Sequence, residues 1–328
     1  MNDIGKFCIS SRVRIARNVK GLPFSSDMNS SERETLINKV KGALGNKYTY
    51  INFSDLPTTK KLSYVERHIV SPDFLNAENK TALFMNYDKS VSVMVGEEDH
   101  IRIQAFADGY ALKEAKEKAF ETEMLIEQSV EFMFDDKYGY ITKCPSNIGT
   151  GVRASVMMFL PTTVNTNTVA SYSSELARLG MTIRGAFGES SNSVGDTYQI
   201  SNNRTLGMSE DEIIDNVNNI VKALAKREEE NEKKLLDRSG DKLKDTSMRA
   251  LGILRSAYMI SNDEAQEMIS RVRLGSNLGI IVVDRSSLNT AMTDSFPNTL
   301  SIVLEKDLSS PSVRDVCRAE YLKKIFGD

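Results

Sequence analysis

The composition changes at about residue 225, which places a boundary near 225–235 between an α+β unit and a mostly helical one. Before it, FCISSRVRIA over 6–15 and HIRIQAF over 100–106 alternate apolar with polar residues, the runs 81–86 and 90–95 are rich in strand-forming residues, and TIRGAF over 182–187 and DTYQIS over 196–201 read as further strands. A period of two marks strands with one buried face, and the YDK between 81–86 and 90–95 reads as a hairpin turn. Helical spacing interleaves with these strands. Ser31 and Glu34 read as a capping box for a helix over 32–44. Residues 111–134 carry Leu112, Ala115, Ala119, Ile126, Val130 and Met133 on one stripe. Residues 169–179 read as a helix, and Ser209 with Glu212 opens another that carries Ile213, Val217, Ile220 and Leu224. CPSNIGTGVRASVMMFLP, 144–161, reads as a glycine-bearing loop leading into an apolar helix that ends at Pro161. Beyond 225, AKREEENEKKLLDR is charge-rich and helical, and the remainder of the chain is mostly helix, with a capping box at Ser261 and Glu264. The expectation is an α+β unit over 1–228 followed by a mostly helical unit over 229–328.

A chain of 328 residues can bury a substantial core. The net charge of −3 gives no basic surface for general nucleic-acid binding, so an anion site must be a local cluster of arginine or lysine. Three cysteines, Cys8, Cys144 and Cys317, are far apart and show no metal-ligand spacing, which fits a reducing compartment. The start, MNDIGKFCIS, lacks a charged segment followed by an apolar run, and no stretch approaches a membrane span. A cytoplasmic protein without a membrane anchor is expected. With only His68 and His100, zinc-hydrolase and Ser-His-Asp chemistry have few residues to work with, and HExxH and GxSxG are missing.

Arginines sit where they are costly. Arg12 and Arg14 share one face of a strand, Arg102 lies in HIRIQ, Arg153 follows two glycines, and Arg184 precedes a Gly/Ser-rich loop. Each is set among apolar neighbours, where a guanidinium needs a counter-charge. A nucleotide triphosphate would satisfy five converging arginines, because the planar fork binds phosphate oxygens in pairs. Five separate surface ion pairs are the alternative. No GxxxxGK[ST] loop occurs, and the Gly-rich loop, HRD and DFG of protein kinases are missing too. The acids of interest are GEEDH over 96–100, which in isolation reads as a solvated turn, and Glu189 in RGAFGE.

Four motifs together decide between these readings. SSRVRIARN (10–18), EEDHIRIQ (97–104), CPSNIGTGVRAS (144–155) and RGAFGE (184–189) resemble, in order and spacing across about 200 residues, the signature of the ATP:guanido phosphotransferases, which include creatine kinase and arginine kinase. Within that superfamily the chain is most similar to the bacterial protein arginine kinases of the McsB type. It opens almost at SSRVR, without the N-terminal helical domain of the small-molecule kinases. SVSVMVGEEDHIRIQ, RASVMM, YQISNNRTLGMSEDEII and RLGSNLGII are similar in wording, and RDVCRA (314–319) matches an RDxxRA motif of the McsB C-terminal domain.

The resemblance implies a phosphagen-kinase-like domain, an antiparallel sheet flanked by helices. It implies that Arg12, Arg14, Arg102, Arg153 and Arg184 hold the phosphates of ATP, with Mg²⁺ bridging phosphate oxygens and no protein-held metal. Ser10, Ser11, Val13 and His68, then Ala154, Ser155, Val156 and Met157, then Gly185, Ala186, Phe187, Gly188 and Glu189, complete the implied nucleotide pocket. Glu98 and Glu189 are assigned to the substrate guanidinium and Cys144 to its binding. Arginine titrates at roughly 12.5–13.8, so its nitrogen is protonated and a poor nucleophile. Two carboxylates can orient the fork, and Glu98 can accept the proton as the N–P bond forms. Where this family usually reads NEEDH, Gly96 replaces Asn, which leaves the shape of the turn open. Arg314 and Arg318 share a helix face beside Asp315, and the resemblance implies phosphoarginine recognition there.

The implied activity is transfer of the ATP γ-phosphoryl group to arginine side chains of proteins, as a degradation mark and in the stress response. The implied partners are arginine-bearing protein substrates including a heat-shock repressor, a zinc-binding activator protein and a Clp-type unfoldase–protease, with a homodimer or larger assembly and neither membrane nor nucleic acid. A kinase of free arginine or another small guanidino compound, and a catalytically silent phosphoarginine-binding adaptor, remain open.

Overall fold

The computed structural model describes residues 3–75, 80–185 and 194–327. Ten strands and eleven helices are named along the described chain. The strands are β1 (Cys8–Arg17), β2 (Tyr48–Asn52), β3 (Ala82–Asn86), β4 (Val91–Val95), β5 (Ile101–Asp108), β6 (Phe134–Asp135), β7 (Gly139–Tyr140), β8 (Val152–Phe159), β9 (Met181–Gly185) and β10 (Thr197–Asn202). The helices are α1 (Ser30–Leu44), α2 (Thr58–Glu66), α3 (Pro72–Leu75), α4 (Leu112–Glu127), α5 (Pro161–Asn165), α6 (Val169–Arg178), α7 (Glu210–Ser256), α8 (Asn262–Asn277), α9 (Arg285–Asp294), α10 (Pro297–Leu304) and α11 (Pro311–Phe326).

Eight strands form one antiparallel sheet in the order β2-β3-β4-β5-β1-β8-β10-β9, with β1 inside it. Alternation in β1, β5 and β8 gives the sheet one apolar face, while β3 and β4 are buried on both faces. Val13, Ile15, Ile103, Ala105, Ala154 and Val156 are fully buried, in one cluster with Leu36 and Val40 of α1, Ala115 and Ala119 of α4, and Ile213 and Val217 of α7. The opposite face is covered over β3 and β4 by a smaller cluster of Phe53, Ile69, Phe74, Leu83, Met85 and Met94. The arginines occupy the rest of that face.

Several local readings need correction. Residues 152–159 form a strand, not a helix. Val152, Ala154, Val156 and Met158 point one way and Arg153, Ser155 and Met157 the other, which is period two; Pro161 begins α5 rather than ending a helix. The helix read over 111–134 stops at Glu127, and Phe132 instead bridges to Val19. The capping box of α1 is Asn29 with Glu32, two residues before the expected pair. The Ser209–Glu212 box is present, and Ser261 accepts from the Glu264 amide. Strand β2 and helices α2 and α3 were not anticipated, although YTYIN has the aromatic and β-branched content of a strand.

The charge-rich segment continues one long helix. α7 runs from the sheet into the second unit, and the boundary expected at 228/229 falls inside it. It kinks at Ser239 (φ −144°, ψ 29°), a Ser-Gly pair of the kind that bends helices. Beyond the kink, Ala250, Leu251 and Leu254 pack with Ile269, Val272, Leu288, Leu322 and Phe326 from α8, α9 and α11 as a separate core. No helix among the described residues is long and apolar enough to cross a membrane.

One buried cation locks the strands that carry the site. Arg17 is fully buried at the end of β1. It pairs with Glu123 of α4, donates to the carbonyls of Ala16 (2.8 Å) and Thr150 (2.9 Å), and stacks 3.4 Å from the Tyr140 ring centroid. Gly151 follows with φ +63°; a Cβ there would come within 2.5 Å of Arg17 Nη1 and 2.7 Å of the Ala16 carbonyl, so this residue must be glycine for β8 to approach β1. Replacing Arg17 by Met leaves the Glu123 carboxylate buried and unpaired. That variant is expected to lose about 3–5 kcal/mol of stability, measured by denaturant unfolding of Arg17→Met against the parent.

Candidate active site

Strand register brings the arginines together. Directly paired residues share a face. Arg12 lies between Phe106 of β5 and Ser155 of β8, Arg14 between Gln104 and Arg153, and Arg102 opposite Ala16. Ser155 pairs with Ser201 and Met157 with Gln199 of β10, and Gln199 pairs with Arg184 of β9. Arg12, Arg14, Arg102, Arg153 and Arg184 therefore stand on one face across five adjacent strands.

Their surroundings favour an anion. Burial, then repulsion from Arg153 and Arg102, pushes the Arg12 guanidinium down to about 9. Burial and then Arg12 hold Arg14 well below the ordinary arginine range. Arg12 Nε is buried without a hydrogen-bond partner, and neither Arg12 nor Arg14 has an ion pair among the described residues. Arg102 is bound through Nη1 to Glu97 at 2.6 Å, with Nη2 3.6 Å from Glu98. Arg153 donates to Ser201 Oγ at 2.9 Å. Half-buried His68 lines a cavity with Arg12, and desolvation followed by the Arg12 charge pushes its imidazole down to about 3, so it is neutral. A polyphosphate fits such a face, because its charge would offset both burial and mutual repulsion. The Mg²⁺ that accompanies a nucleotide prefers phosphate oxygens and water.

The acidic turn between β4 and β5 separates its three carboxylates. Glu97 is buried, held by Arg102 and by the Ser71 hydroxyl. Asp99 is fully buried and accepts from Asn18 Nδ2 (2.7 Å) and the Lys143 amide (2.8 Å). Glu98 alone is exposed, its side chain 41% accessible. Partial burial, then repulsion from Asp99, raises its pKa despite Arg102. Fully buried His100 accepts from the Val19 amide at Nδ1 (2.9 Å), which leaves Nε2 to donate to the Pro23 carbonyl (2.6 Å); its role is to fix the turn. Gly96 sits at φ +91°, in the left-handed region that Gly and Asn both visit, so the replacement suits this turn.

Through Lys143, Asp99 ties the segment ahead of Cys144 to the turn that bears Glu98. Cys144 is half-buried, its Sγ 3.0 Å from Ser146 Oγ. Ser10 and Met157 lie on the arginine face beside the cavity, whereas Ser11, Val13, Ala154 and Val156 are backbone neighbours whose side chains face the core. Gly185 ends β9, and Ala186, Phe187, Gly188 and Glu189 lie outside the described residues.

The RDVCRA segment lies on α11, in the helical unit. Arg318 is buried and occupied: Nε donates to the Ser295 carbonyl (2.8 Å), and Nη1 to the Ile260 carbonyl (2.9 Å) and to Asp315. Arg314 is half-buried, gives one bond to the Leu308 carbonyl (3.2 Å), and keeps a buried Nε without a partner. Glu97, Asp99, Asn18 and Gln199 were given no role by sequence reasoning; all four stand inside quoted segments, and the fold shows that Asn18 meets Asp99 and Gln199 meets Ser155.

An antiparallel sheet with a row of arginines on one face and an open carboxylate at the end of that row defines a guanidino phosphotransferase of the phosphagen-kinase fold. Residues 29–231 match the ATP:guanido phosphotransferase C-terminal catalytic domain, and residues 240–328 the protein-arginine kinase McsB C-terminal domain. The chain belongs to the protein-arginine kinases of the ATP:guanido phosphotransferase family. It is 37% identical over 326 residues to a protein-arginine kinase of Clostridium kluyveri, covering 96% of this chain and 93% of that one. It is 36% identical over 330 residues to the protein of that name from Clostridium acetobutylicum, covering 98% and 96%. Among solved structures, the duplicated taurocyamine kinase of Schistosoma mansoni with transition-state-analogue components superposes with a TM-score of 0.62 at 29% identity, over 69% of this chain and 33% of that one. Lombricine kinase gives 0.62 at 25% identity, over 69% and 67%.

Four outcomes are expected. Arg14→Met should stabilise the nucleotide-free protein by about 1 kcal/mol, because it removes a half-buried cation that stands among other guanidiniums. The same variant should bind Mg·ADP at least tenfold more weakly, with unfolding and calorimetric titration as the paired measurements. A carboxylate that must be ionised to accept a proton fails below its own pKa, and the Glu98 pKa is raised. The acidic limb of kcat/KM should therefore lie above the ordinary glutamate value near 4.5, and Glu98→Ala should lower kcat by about 10²–10⁴-fold.

Proposed function

We propose that this protein transfers the γ-phosphoryl group of Mg·ATP to the guanidinium of arginine side chains in other proteins. The carrying observation is the row of guanidiniums that ends beside Glu98, together with kinship to the protein-arginine kinases. Arg12, Arg14, Arg102, Arg153 and Arg184 hold the phosphates along the sheet, and Mg²⁺, when bound with ATP, neutralises phosphate charge. Glu98 receives the acceptor fork and takes one proton from the attacking nitrogen. As the N–P bond forms, the bond from the γ-phosphorus to the bridging oxygen breaks, and ADP leaves with that oxygen's electron pair. Holding nitrogen and phosphorus in line can supply roughly 7–11 kcal/mol of the barrier in favourable cases. Glu97 keeps Arg102 in place, and Asp99 keeps Cys144 close to the turn. Glu189 is proposed as the second carboxylate on sequence grounds.

Arg314 and Asp315 are proposed to recognise phosphoarginine, supported by the half-buried Arg314 with its unpartnered Nε. Arg318 is better suited to hold Asp315 than to touch a ligand, since its donors are already engaged. A role in marking proteins for a Clp-type protease and in the stress response, with a zinc-binding activator and a heat-shock repressor among the partners, rests on the family resemblance.

The test is incubation with Mg·ATP and an unfolded acceptor protein, followed by mass spectrometry of the acceptor. Acid-labile phosphate on arginine, lost in Glu98→Ala with the fold intact, is expected. Turnover confined to free arginine would replace this reading by a small-molecule kinase. Binding of phosphoarginine without any ATP turnover would make the protein an adaptor.

A further inference from the structure

The cavity beside Arg12 does not close within the sheet unit. It holds about 230 Å³, with Ser10, Met157 and Gln199 of the sheet on one side. On the other side stand Asn289, Met292 and Thr293 of α9 and Phe296 at the start of α10, all from the helical unit. Direction along the sheet says which part of a nucleotide would lie here. From Arg12 the row passes Arg14 to Arg102, opposite Ala16, and the turn with Glu98 lies directly before β5. Ser10 lies the other way from Arg12. A triphosphate whose γ end meets Glu98 therefore places its nucleoside at Ser10, in this cavity.

We propose that the helical unit builds the far wall of the nucleotide site, with Asn289, Met292, Thr293 and Phe296 receiving the base of ATP. This rests on the proposed nucleotide site and extends it to residues outside the matched catalytic domain, which ends at 231. The chemistry of the wall suits an adenine. Asn289 Oδ1 accepts from buried Arg273 at 2.8 Å, which fixes the amide and leaves Nδ2 as a donor for a ring nitrogen. Gln199 Nε2 donates to Ser155 Oγ at 2.9 Å, which leaves Oε1 to accept from an exocyclic amine. Ile9, Met157, Met292 and Phe296 supply apolar surface for the ring faces.

The wall is held in place from the sheet unit. Glu66 accepts from the Asn298 amide (3.1 Å) and side chain (2.7 Å), and from the Thr299 amide (2.7 Å) and hydroxyl (2.8 Å), so it caps α10. Arg67 pairs with Asp294 at 3.1 Å, and the next residue is His68, in the cavity. Nucleotide binding thus strengthens the docking of the two units, and docking strengthens nucleotide binding by the same factor.

The test compares Mg·ADP with inorganic tripolyphosphate, which reaches the arginines but has no base, by calorimetric titration of the full chain. Asn289→Ala should weaken Mg·ADP about tenfold and leave tripolyphosphate within about twofold. Met292→Trp, which fills the cavity without touching Arg273's partner, should weaken Mg·ADP by more than that with the same selectivity, and it decides the matter should Asn289→Ala not fold. Val282→Ser, at a fully exposed position, serves as control. Unchanged Mg·ADP affinity in folded variants overturns the proposal, as does an equal loss of both ligands. A parent protein that binds neither ligand would instead overturn the nucleotide reading itself.

Discussion

Burial of guanidiniums together on one sheet face, with the repulsion it brings among them, is the constraint around which the rest of this molecule is arranged. Arg12 and Arg14 are driven towards neutrality by burial and by each other's neighbours. The fold tolerates this because antiparallel pairing leaves no choice of face: once Val13 and Ile15 are buried on the helix side, Arg12 and Arg14 must stand on the other. The hydrophobic clusters under and beside them offset the electrostatic cost. The resulting surface is complementary to a dense anion, and that complementarity is preorganised before any ligand arrives.

Around the row, the charged groups that do have partners are mostly scaffolding. Arg17 binds β1 to α4 and to the loop ahead of β8, Glu97 steadies Arg102, and Asp99 draws the Cys144 segment to the acidic turn. These buried pairs fix the strands and turns that carry the arginine row. Glu98 differs from its neighbours in being open, as the proposed meeting with a large acceptor requires.

The helical unit is docked against the sheet rather than tethered at a distance. Glu66 and Arg67 reach across to α10 and α9, and α11 leans on the same corner: Tyr321 donates to Asp294 at 2.8 Å, and Arg318 to the Ser295 carbonyl. Arg318 of RDVCRA, and Tyr321 just after it, therefore reach the chain beside the cavity that Arg12 lines. Contact alone is not coupling, but the route is short, one hydrogen bond buried and the other partly so.

Much of this was legible in the residues themselves. Alternation in RVRIA and HIRIQAF placed the arginines on a common strand face, and a capping box at Ser209 marked the start of α7, because period and caps are local properties. Four motifs in order carried the family. Local pattern failed at 152–159, where apolar residues on both faces of a strand look like a buried helix until the sheet shows which neighbours lie on each side. It failed also for Asn289, Gln199 and Glu66, which have no distinctive sequence setting. Sequence alone determined which side chains were available for phosphate chemistry and the order of the elements bearing them. Tertiary structure decided which of them meet, because strand order across the sheet and the docking of the helical unit join residues more than two hundred positions apart, and no local periodicity encodes such a pairing.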